Sequence, residues 1–536
     1  MMQKFFMEKR RRIIPILLVI AIFTSCSEIP SNLKVIPKEA NFVAAIDVFS
    51  IATKCRLDKF LNIEVVKETI NEIGLNTDES KVGAFFQKVM ENPLGSGVDF
   101  TGDAYIFSTT ENLKKPTFGV SIQIANKNEF NTFIIGLSTS CKKGSGIETK
   151  HGVNFVKLAN DLHVGWDQDK AILLKTTDRS FSDSLREKIV SLMSLSDENQ
   201  IVSNEDFNTY HKNKKDLSVW VSSNLIANEY KFKKLVDQVG FKLNDIYFFA
   251  NIEFKDDQIQ LSIDFIPNEG YKEMLEKSEQ LIIPFNEEVV GMFSNNYKGL
   301  FSVALDFSKI SELYSDGSSK KVLEGVGDKM SPFGGSFLFN LYDIDVYGKT
   351  KHNYLSNRQQ LTENVKANLS IGFDIRSRLK LDSLINQIVE MGMCEAKGKY
   401  FVGSFGKEFR FSFGVNGDLG MISMDEAYVR QFTGNEKPKN SLREESVMSD
   451  IKDHAFYSYI KLDVEEYSDE FQKYVSRQYF TPNKHGFTAY GKLFKSMELK
   501  RLSATKIELN INFKEHGEDA LQDLINVANQ IYIEMM

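Results

Sequence analysis

Cys26 is the residue whose type and position indicate a specific chemistry. The first twelve residues carry five Lys and Arg side chains, Ile13–Phe23 is an apolar run of eleven residues, and Thr24 and Ser25 lead into the cysteine. So short a run cannot cross ~30 Å of hydrocarbon, which needs roughly 20 residues, so it is typical of a signal peptide. A thiol directly after the cleavage site is the group that a bacterial lipoprotein uses to take up diacylglycerol, before fatty acids such as palmitate acylate the new N-terminus.

The sequence therefore predicts lipidation at Cys26 and a membrane anchor that does not span the bilayer. A signal peptide would cover residues 1–25 and a short tether residues 26–34. An ordinary cleaved signal peptide followed by a chance cysteine is the alternative. No later segment is long and apolar enough for a membrane span.

Four aspartates form a second chemical pattern, because each ends an apolar run and precedes an amphipathic stretch. They are Asp47, Asp306, Asp374 and Asp463. Recurring carboxylates suggest catalysis, but a short acidic side chain at this position also accepts hydrogen bonds from the first N–H groups of a helix. We therefore predict that these aspartates cap helices and do not converge on a catalytic cleft.

Other catalytic and ligand-binding motifs are missing from the sequence. It has no Walker loop, no Gly-x-Gly-x-x-Gly after a strand and no Gly-x-Ser-x-Gly elbow. Ser318 and Lys321 match Ser-x-x-Lys formally, but without its companion motifs. The histidines lie singly at positions 151, 163, 211, 352, 454, 485 and 516, without the spacing of zinc ligands. We expect no catalytic residue, no metal ligand and no cofactor, and we expect Trp166 and Trp220 to pack in the core.

Composition limits the class of partner. After the signal peptide 511 of the 536 residues remain, more than one core usually holds, so two or more domains are expected. The signal segment has a net charge of +4, so the full-chain charge of −7 leaves the mature chain at about −11. A negative balance argues against nucleic acid as a partner.

Matching segments at offsets near 249 residues suggest a tandem duplication. Ile259–Phe265 matches Ile507–Phe513, and residues 164–173 match residues 413–422. The matching strands alternate apolar and polar residues, which is typical of antiparallel sheets with one buried face. We predict an α+β fold of two tandem repeats, 35–283 and 284–536, each an antiparallel or mixed sheet with packed helices. Coincidence among similar strand patterns is the alternative.

Turns and loops are predicted from polar composition. Asn416–Gly417 suits a tight hairpin turn in which both central residues have positive φ. Polar stretches near residues 197–216, 315–335, 349–366 and 434–450 are predicted loops.

Two further segments carry a family resemblance. Residues 36–47 read Ile-Pro-Lys-Glu-Ala-Asn-Phe-Val-Ala-Ala-Ile-Asp, and residues 92–103 contain Gly-Ser-Gly-Val-Asp. With Cys26, the chain resembles the Bacteroidetes lipoproteins labelled domain of unknown function 4836. Phe23 replaces the usual Leu of the lipobox, within the looser form of that phylum. The resemblance implies a Gram-negative envelope and the outer membrane, and it carries over no functional residue.

The sequence favours a lipid-anchored cell-envelope protein with a binding or structural role over an enzyme. Its expected partners are the membrane, through the anchor, and other envelope proteins. Whether it faces the periplasm or the cell surface stays open. The competing function is an envelope hydrolase whose active site matches no known motif; an enzyme would gather ionisable groups with shifted pKa values in one cleft.

Overall fold

The computed structural model of the chain describes residues 29–56, 92–108, 117–140, 146–176, 184–227, 245–313, 317–353, 358–405, 409–479, 491, 493–514 and 519–535. Cys26 and the predicted signal peptide lie outside the described residues. No helix of the described part is long and apolar enough to cross a membrane.

Twenty strands of the described residues form one sheet in which the pairings are antiparallel. They are β1 (Phe42–Asp47), β2 (Asp103–Ser108), β3 (Thr117–Gln123), β4 (Glu148–Lys150), β5 (Val153–Ala159), β6 (Leu162–Trp166), β7 (Lys170–Thr176), β8 (Leu217–Ser222), β9 (Tyr247–Phe254), β10 (Gln258–Ile266), β11 (Gly299–Ala304), β12 (Phe333–Asn353), β13 (Arg358–Ile375), β14 (Cys394–Lys397), β15 (Tyr400–Phe405), β16 (Phe409–Asn416), β17 (Leu419–Ser423), β18 (Phe456–Lys461), β19 (Phe494–Arg501) and β20 (Lys506–Phe513).

Helices connect these strands. They are α1 (Val48–Lys54), α2 (Lys127–Ser140), α3 (Leu185–Met193), α4 (Glu205–His211), α5 (Asn224–Ala227), α6 (Glu269–Glu279), α7 (Glu287–Val290), α8 (Gly317–Met330), α9 (Arg378–Glu390), α10 (Glu426–Thr433), α11 (Val447–Asp453), α12 (Asp469–Tyr479) and α13 (Ala520–Met535).

The strand order across the sheet is β4-β5-β6-β7-β3-β2-β1-β8-β9-β10-β20-β19-β18-β11-β12-β13-β17-β16-β15-β14. Among the described strands, β1–β10 occupy one half of the sheet and β11–β20 the other half. The halves meet where β10 pairs with β20, from Gln258 opposite Asn512 to Asp264 opposite Lys506.

The predicted fold class of two tandem repeats, each with a sheet of its own, is wrong. Ile259–Phe265 and Ile507–Phe513, whose match suggested the duplication, lie side by side as β10 and β20 of a single sheet. Their apolar residues are in register, with Leu261 opposite Leu509, so the alternation gives both strands a common apolar face. The division between residues 283 and 284 falls in the connection from α6 to α7 and stays a prediction.

The hairpin at Asn416 forms as predicted, with a shift of one residue. Asn416 pairs with Leu419, so the central residues of the turn are Gly417 and Asp418. Gly417 has φ of 58° and is the residue of this pair with positive φ, so the expectation of positive φ at both central positions is wrong. Residue 417 supplies the left-handed conformation that glycine adopts without strain.

Large side chains fill cores on both halves. Trp220, Phe249, Tyr105 and Phe155 belong to a core in the first half, and a core in the second half contains Phe293, Leu338, Met421 and Tyr457. Trp166 packs with Phe130 of α2 in a third core. The prediction that both tryptophans are core residues is confirmed, since Trp166 and Trp220 are almost fully buried.

Candidate functional site

Three of the four aspartates, Asp47, Asp306 and Asp463, cap helical turns as predicted. Asp47 ends β1, and its Oδ1 accepts a hydrogen bond of 2.8 Å from the Ser50 N–H in the first turn of α1. Asp463 accepts a hydrogen bond of 3.0 Å from the Glu465 N–H and caps the 3₁₀ turn Val464–Glu466. Both carboxylates satisfy N–H groups that have no partner inside the helix.

Asp306 combines a cap with an ion pair. Its Oδ1 accepts hydrogen bonds from Ser308 N at 3.2 Å and Ser308 Oγ at 2.6 Å, and from Arg376 Nη1 at 2.9 Å. Burial alone would raise the pKa of Asp306, but the hydrogen bonds from Ser308 and Arg376 and the charge of the guanidinium hold it below its usual value. The carboxylate is therefore fixed in its charged form.

Asp374 does not cap a helix, and that prediction is wrong. Its Oδ1 accepts a hydrogen bond of 2.9 Å from Ser336 N on the neighbouring strand β12. Helix α9 begins after Ser377, whose side chain makes no capping bond. The carboxylate lies over Gly334, where an added Cβ would be 2.3 Å from its Cγ. Asp374 therefore holds β12 to β13 beside an irregularity in their register.

Sequence reasoning missed a partly buried polar cluster around Tyr105 in the first half of the sheet. Tyr105 OH donates to Asp103 Oδ2 at 2.9 Å and lies 2.9 Å from His211 Nε2. Lys214 Nζ lies 2.9 Å from Asp103 Oδ1. Asp103 ends the second segment of the family resemblance, but nothing local indicated a histidine more than 100 positions away as its neighbour.

The pKa values of this cluster argue against a nucleophile. Burial, and then the charge and hydrogen bond of Asp103, raise the pKa of Tyr105, so the phenol stays protonated. Burial lowers the pKa of His211, an effect that Asp103 opposes and Lys214 reinforces. Tyr105 is fully buried. A protonated, inaccessible phenol that donates to a carboxylate stabilises the fold, whereas an activated nucleophile needs a lowered pKa and access to substrate.

An open cleft of about 550 Å³ lies in the second half of the molecule. The walls of the cleft are formed by α7 and the residues directly after it, the turn between β16 and β17, α10, and residues 434–444. Met292, Leu419 and Phe432 are the less exposed apolar lining residues, and Met292 and Phe432 are buried. The cleft therefore combines an apolar interior with a solvent-exposed rim.

Backbone features position the rim. Asp425 caps α10 by accepting a hydrogen bond of 2.8 Å from Ala427 N. After the helix, Asn435 and Asn440 adopt positive φ, at 64° and 56°, and turn the chain around the cleft. Asn295 N then donates to Asn440 O at 2.9 Å and fastens the loop to the segment after α7.

The charged side chains of the rim are exposed and of both signs, which favours a ligand that carries both positive and negative charges. They are Glu288, Glu436, Lys437, Arg443 and Glu444. In the part of the chain that the structure describes, none of their side chains forms an ion pair with another residue. The Arg443 guanidinium lies beside Gly291, where an added Cβ would be 3.6 Å from Cζ. Unpaired charges of both signs around an apolar interior can bind a ligand that has polar and apolar parts.

A metal centre is not evident. Within the described ranges, no group of three or more His, Cys, Asp and Glu side chains is arranged to hold a metal ion.

The fold and the cleft define a protein with one continuous antiparallel sheet, helices packed against it, and a mixed-polarity cleft at its surface. A family model described as "Domain of unknown function (DUF4836)" matches residues 32–318, more than half of the chain. The chain belongs to that family.

Other comparisons add little. No curated protein matches the chain. A solved structure titled "Structure of crystal form III of TP0453" matches at 12% identity, covering 48% of this chain and 88% of its own, with a TM-score of 0.25.

Proposed function

We propose that this chain is a lipid-anchored protein of the bacterial outer membrane that binds a peptide segment of an envelope partner in the cleft. The observation that carries the proposal is the set of unpaired rim charges around the buried side chains of Met292 and Phe432. The signal layout before Cys26 and the family resemblance to Bacteroidetes lipoproteins support the anchor and the location.

The charge pattern favours a peptide over other ligands. The rim holds two cations, Lys437 and Arg443, and three carboxylates, so neither a polyanion nor a polycation suits its full length. A peptide offers side chains of both signs, backbone groups for hydrogen bonds and apolar side chains for the interior. A binding role also agrees with the clusters around Asp306 and Tyr105. Their polar side chains hydrogen-bond to one another, so neither cluster offers a free nucleophile.

Substitution of Gly291 tests the proposal. Gly291 ends α7 with φ of −64°, a conformation that any residue adopts, and its Cβ direction is toward Arg443. Gly291→Leu should therefore obstruct the cleft without straining the backbone. Gly325→Leu is the matched control, because nothing lies within 4 Å of an added Cβ there.

The measurement is fluorescence anisotropy of the full chain against a library of labelled peptides from envelope proteins. We expect some peptides to bind the parent and the Gly325→Leu variant alike, and to lose about tenfold or more in affinity, about 1.4 kcal/mol, with Gly291→Leu and with Arg443→Glu. Binding that is unchanged by both cleft substitutions, or a library in which no peptide binds the parent, would contradict the proposed site.

A further inference from the structure

The segment that precedes β1 is built into the core of the first half. Leu33, Val35 and Ile36 are each at most 1% exposed and belong to the core that contains Trp220. Asn32 is also fully buried. Because apolar burial fixes these residues to the sheet, the segment is part of the folded body and does not act as a flexible linker.

This segment runs along β2 from one end of the strand to the other. At one end, Asn41 N donates to Ser108 O at 3.1 Å. At the other end, Asn32 Nδ2 donates to Asp103 O at 2.7 Å. Since Asp103 and Ser108 are the two ends of β2, the chain toward the N-terminus leaves the body at the Asp103 end of the strands.

The turn between β6 and β7 lies at this same end. Ser31 Oγ donates to Asp169 O at 3.3 Å, and Ile124 N donates to the same carbonyl oxygen at 2.9 Å. The turn and the connection from β3 to α2 therefore surround the point where the chain leaves the body. We call this the exit surface and define it by its exposed residues, Ala125, Asn126, Gln168 and Asp169.

The chain between the exit surface and the predicted anchor is short. Five residue steps lead from Cys26 to Ser31. An extended chain covers at most about 3.6 Å per residue, so these steps span about 18 Å or less. A lipidated Cys26 lies at the bilayer surface, because its fatty acids are in the hydrocarbon. Ser31 therefore stays within about 18 Å of the bilayer surface, whatever path the chain takes.

The chemistry of the exit surface suits contact with headgroups and not insertion into hydrocarbon. Its exposed residues are small, amide-bearing or charged. The turn Asp167–Lys170 carries two aspartates and one lysine, and Lys170 Nζ lies 2.9 Å from Asp167 Oδ2. This balance gives the turn no attraction to anionic lipids, which bind clusters of Lys and Arg. The short chain must therefore hold the surface near the bilayer.

We propose that the exit surface faces the bilayer and that the short chain before Ser31 gives the anchored protein one preferred orientation. The partner of this surface is the headgroup layer of the membrane that carries the anchor. The inference rests on the proposed lipidation of Cys26 and goes beyond it, since an anchor on a long flexible linker would impose no orientation. It does not depend on what the cleft binds.

Quenching by spin-labelled lipid tests this orientation in the full, lipidated chain. A dansyl-bearing amino acid replaces Gln168 on the exit surface or Asn160, an exposed residue of the turn before β6. The vesicles contain phosphatidylethanolamine, phosphatidylglycerol and a lipid with a nitroxide on its headgroup. Strands β6 and β7 separate the two positions by about 20 Å, so we expect at least about twofold stronger quenching at position 168.

A longer linker separates the effect of chain length from direct binding to lipid. About 20 Gly and Ser residues inserted between Glu28 and Ile29 add a flexible span of about 25 Å on average. We expect quenching at position 168 to fall to the level at position 160, while the same fraction of protein floats with the vesicles. Strong quenching at position 168 that survives the insertion would overturn the proposal.

Flotation distinguishes failure of this inference from failure of the anchor. A chain that floats with the vesicles and is quenched equally at positions 160 and 168 would overturn the orientation alone. A chain that does not float would overturn the lipid anchor, and the orientation with it.

Discussion

At the residue scale, polar side chains at the strand ends are held by partners from neighbouring elements. Asp216 illustrates this, since its carboxylate accepts hydrogen bonds from Ser50 Oγ at 2.5 Å, from Lys54 Nζ at 2.6 Å and from Phe254 N at 2.6 Å. It ties α1 to the end of β9. Charged groups satisfied in this way hold the fold together and are costly to remove.

Asp306→Ala should lower the stability of the protein. The substitution removes the acceptor for Ser308 and the partner of Arg376. The lost cap should cost about 0.5–2 kcal/mol. Urea unfolding of the parent and the variant at neutral pH measures the difference. A variant as stable as the parent would show that the cap contributes nothing.

The stability of the protein should depend on the titration of His211. Because burial lowers the pKa of His211 below the ordinary 6.5, the unfolded chain binds this proton at a higher pH than the folded chain. The stabilisation of the folded protein by the neutral His211 ring is therefore complete above about pH 6.5. It is lost as the pH falls toward the lower pKa of His211 in the folded state. Asp103 and Lys214 face the ring and modify the shift in opposite directions.

Urea midpoints at pH 7.5 and pH 5.5 test this dependence. His211→Gln removes the titrating ring, so the variant should lose less stability than the parent on acidification. The comparison uses the change between the two pH values, since loss of the ring also removes its stacking on Phe207. Equal changes in parent and variant would assign the pH dependence to other groups.

Sequence reasoning succeeded at single residues where the interaction is local. The caps at Asp47 and Asp463 need only an aspartate and the next two or three residues. Asp374 has the same local pattern, but Ser336 is its partner because β12 runs beside it. The pair of Tyr105 and His211 depends on the tertiary fold alone, so no spacing could indicate it.

At the element scale, the irregular start of β12 depends on a glycine. Gly335 has φ of 118°, and an added Cβ would be 2.4 Å from the carbonyl oxygen of Leu305. Its own carbonyl accepts a hydrogen bond of 3.1 Å from Leu305 N. Residue 335 therefore needs both a left-handed backbone conformation and the absence of a side chain.

Gly335→Ala should destabilise the protein, by at least about 1–3 kcal/mol from the backbone strain alone. Gly325→Ala is the matched control, because Gly325 lies in α8 with open space around it. There alanine should stabilise the helix by about 1 kcal/mol. Thermal melts of both variants would contradict this account if the two substitutions shifted the midpoint in the same direction.

Polar composition predicted loops correctly only where the polar segment neither pairs with another strand nor forms a helix. Of the predicted loop at residues 434–450, residues 434–441 are largely loop and form the rim of the cleft, whereas α11 begins within that range at Val447. The predicted loop at residues 349–366 is wrong for the described residues 349–353 and 358–366, which continue β12 and β13. The predicted loops at residues 197–216 and 315–335 are wrong where they contain α4 and α8. Mutual pairing stabilises a polar hairpin that has no apolar pattern to reveal it.

At the scale of the whole molecule, the pairing of β10 with β20 joins both halves into one sheet. Alternation correctly predicted both strands, because it depends only on which side chains face an apolar layer. It could not predict that the two strands pair with each other, since a one-sided strand carries no information about its neighbour. The segment match was therefore consistent with separate sheets and with one continuous sheet.

The protein should unfold in a single cooperative transition. Asn510 lies in β20 opposite Gln260 on one side and Glu498 on the other. Asn510→Pro removes a donor from a central strand and should lower the melting temperature without splitting the transition. Glu395→Pro in the edge strand β14, which pairs only with β15 among the described strands, should have a smaller effect. Calorimetry with two peaks, one of them unmoved by Asn510→Pro, would show that the halves unfold independently.

The most direct test of the central claim, that an anchored protein binds an envelope partner in the cleft, is photocrosslinking in living cells. A benzoylphenylalanine replaces Gln431, which lines the cleft, or Leu379, which is 86% exposed on α9 and serves as the control. We expect a light-dependent adduct from position 431 in the membrane fraction, and none from position 379. The adduct should disappear with Gly291→Leu, and with Cys26→Ala, which should also abolish labelling of the protein by fatty acid. No adduct from position 431, or the same adduct from both positions, would contradict the account.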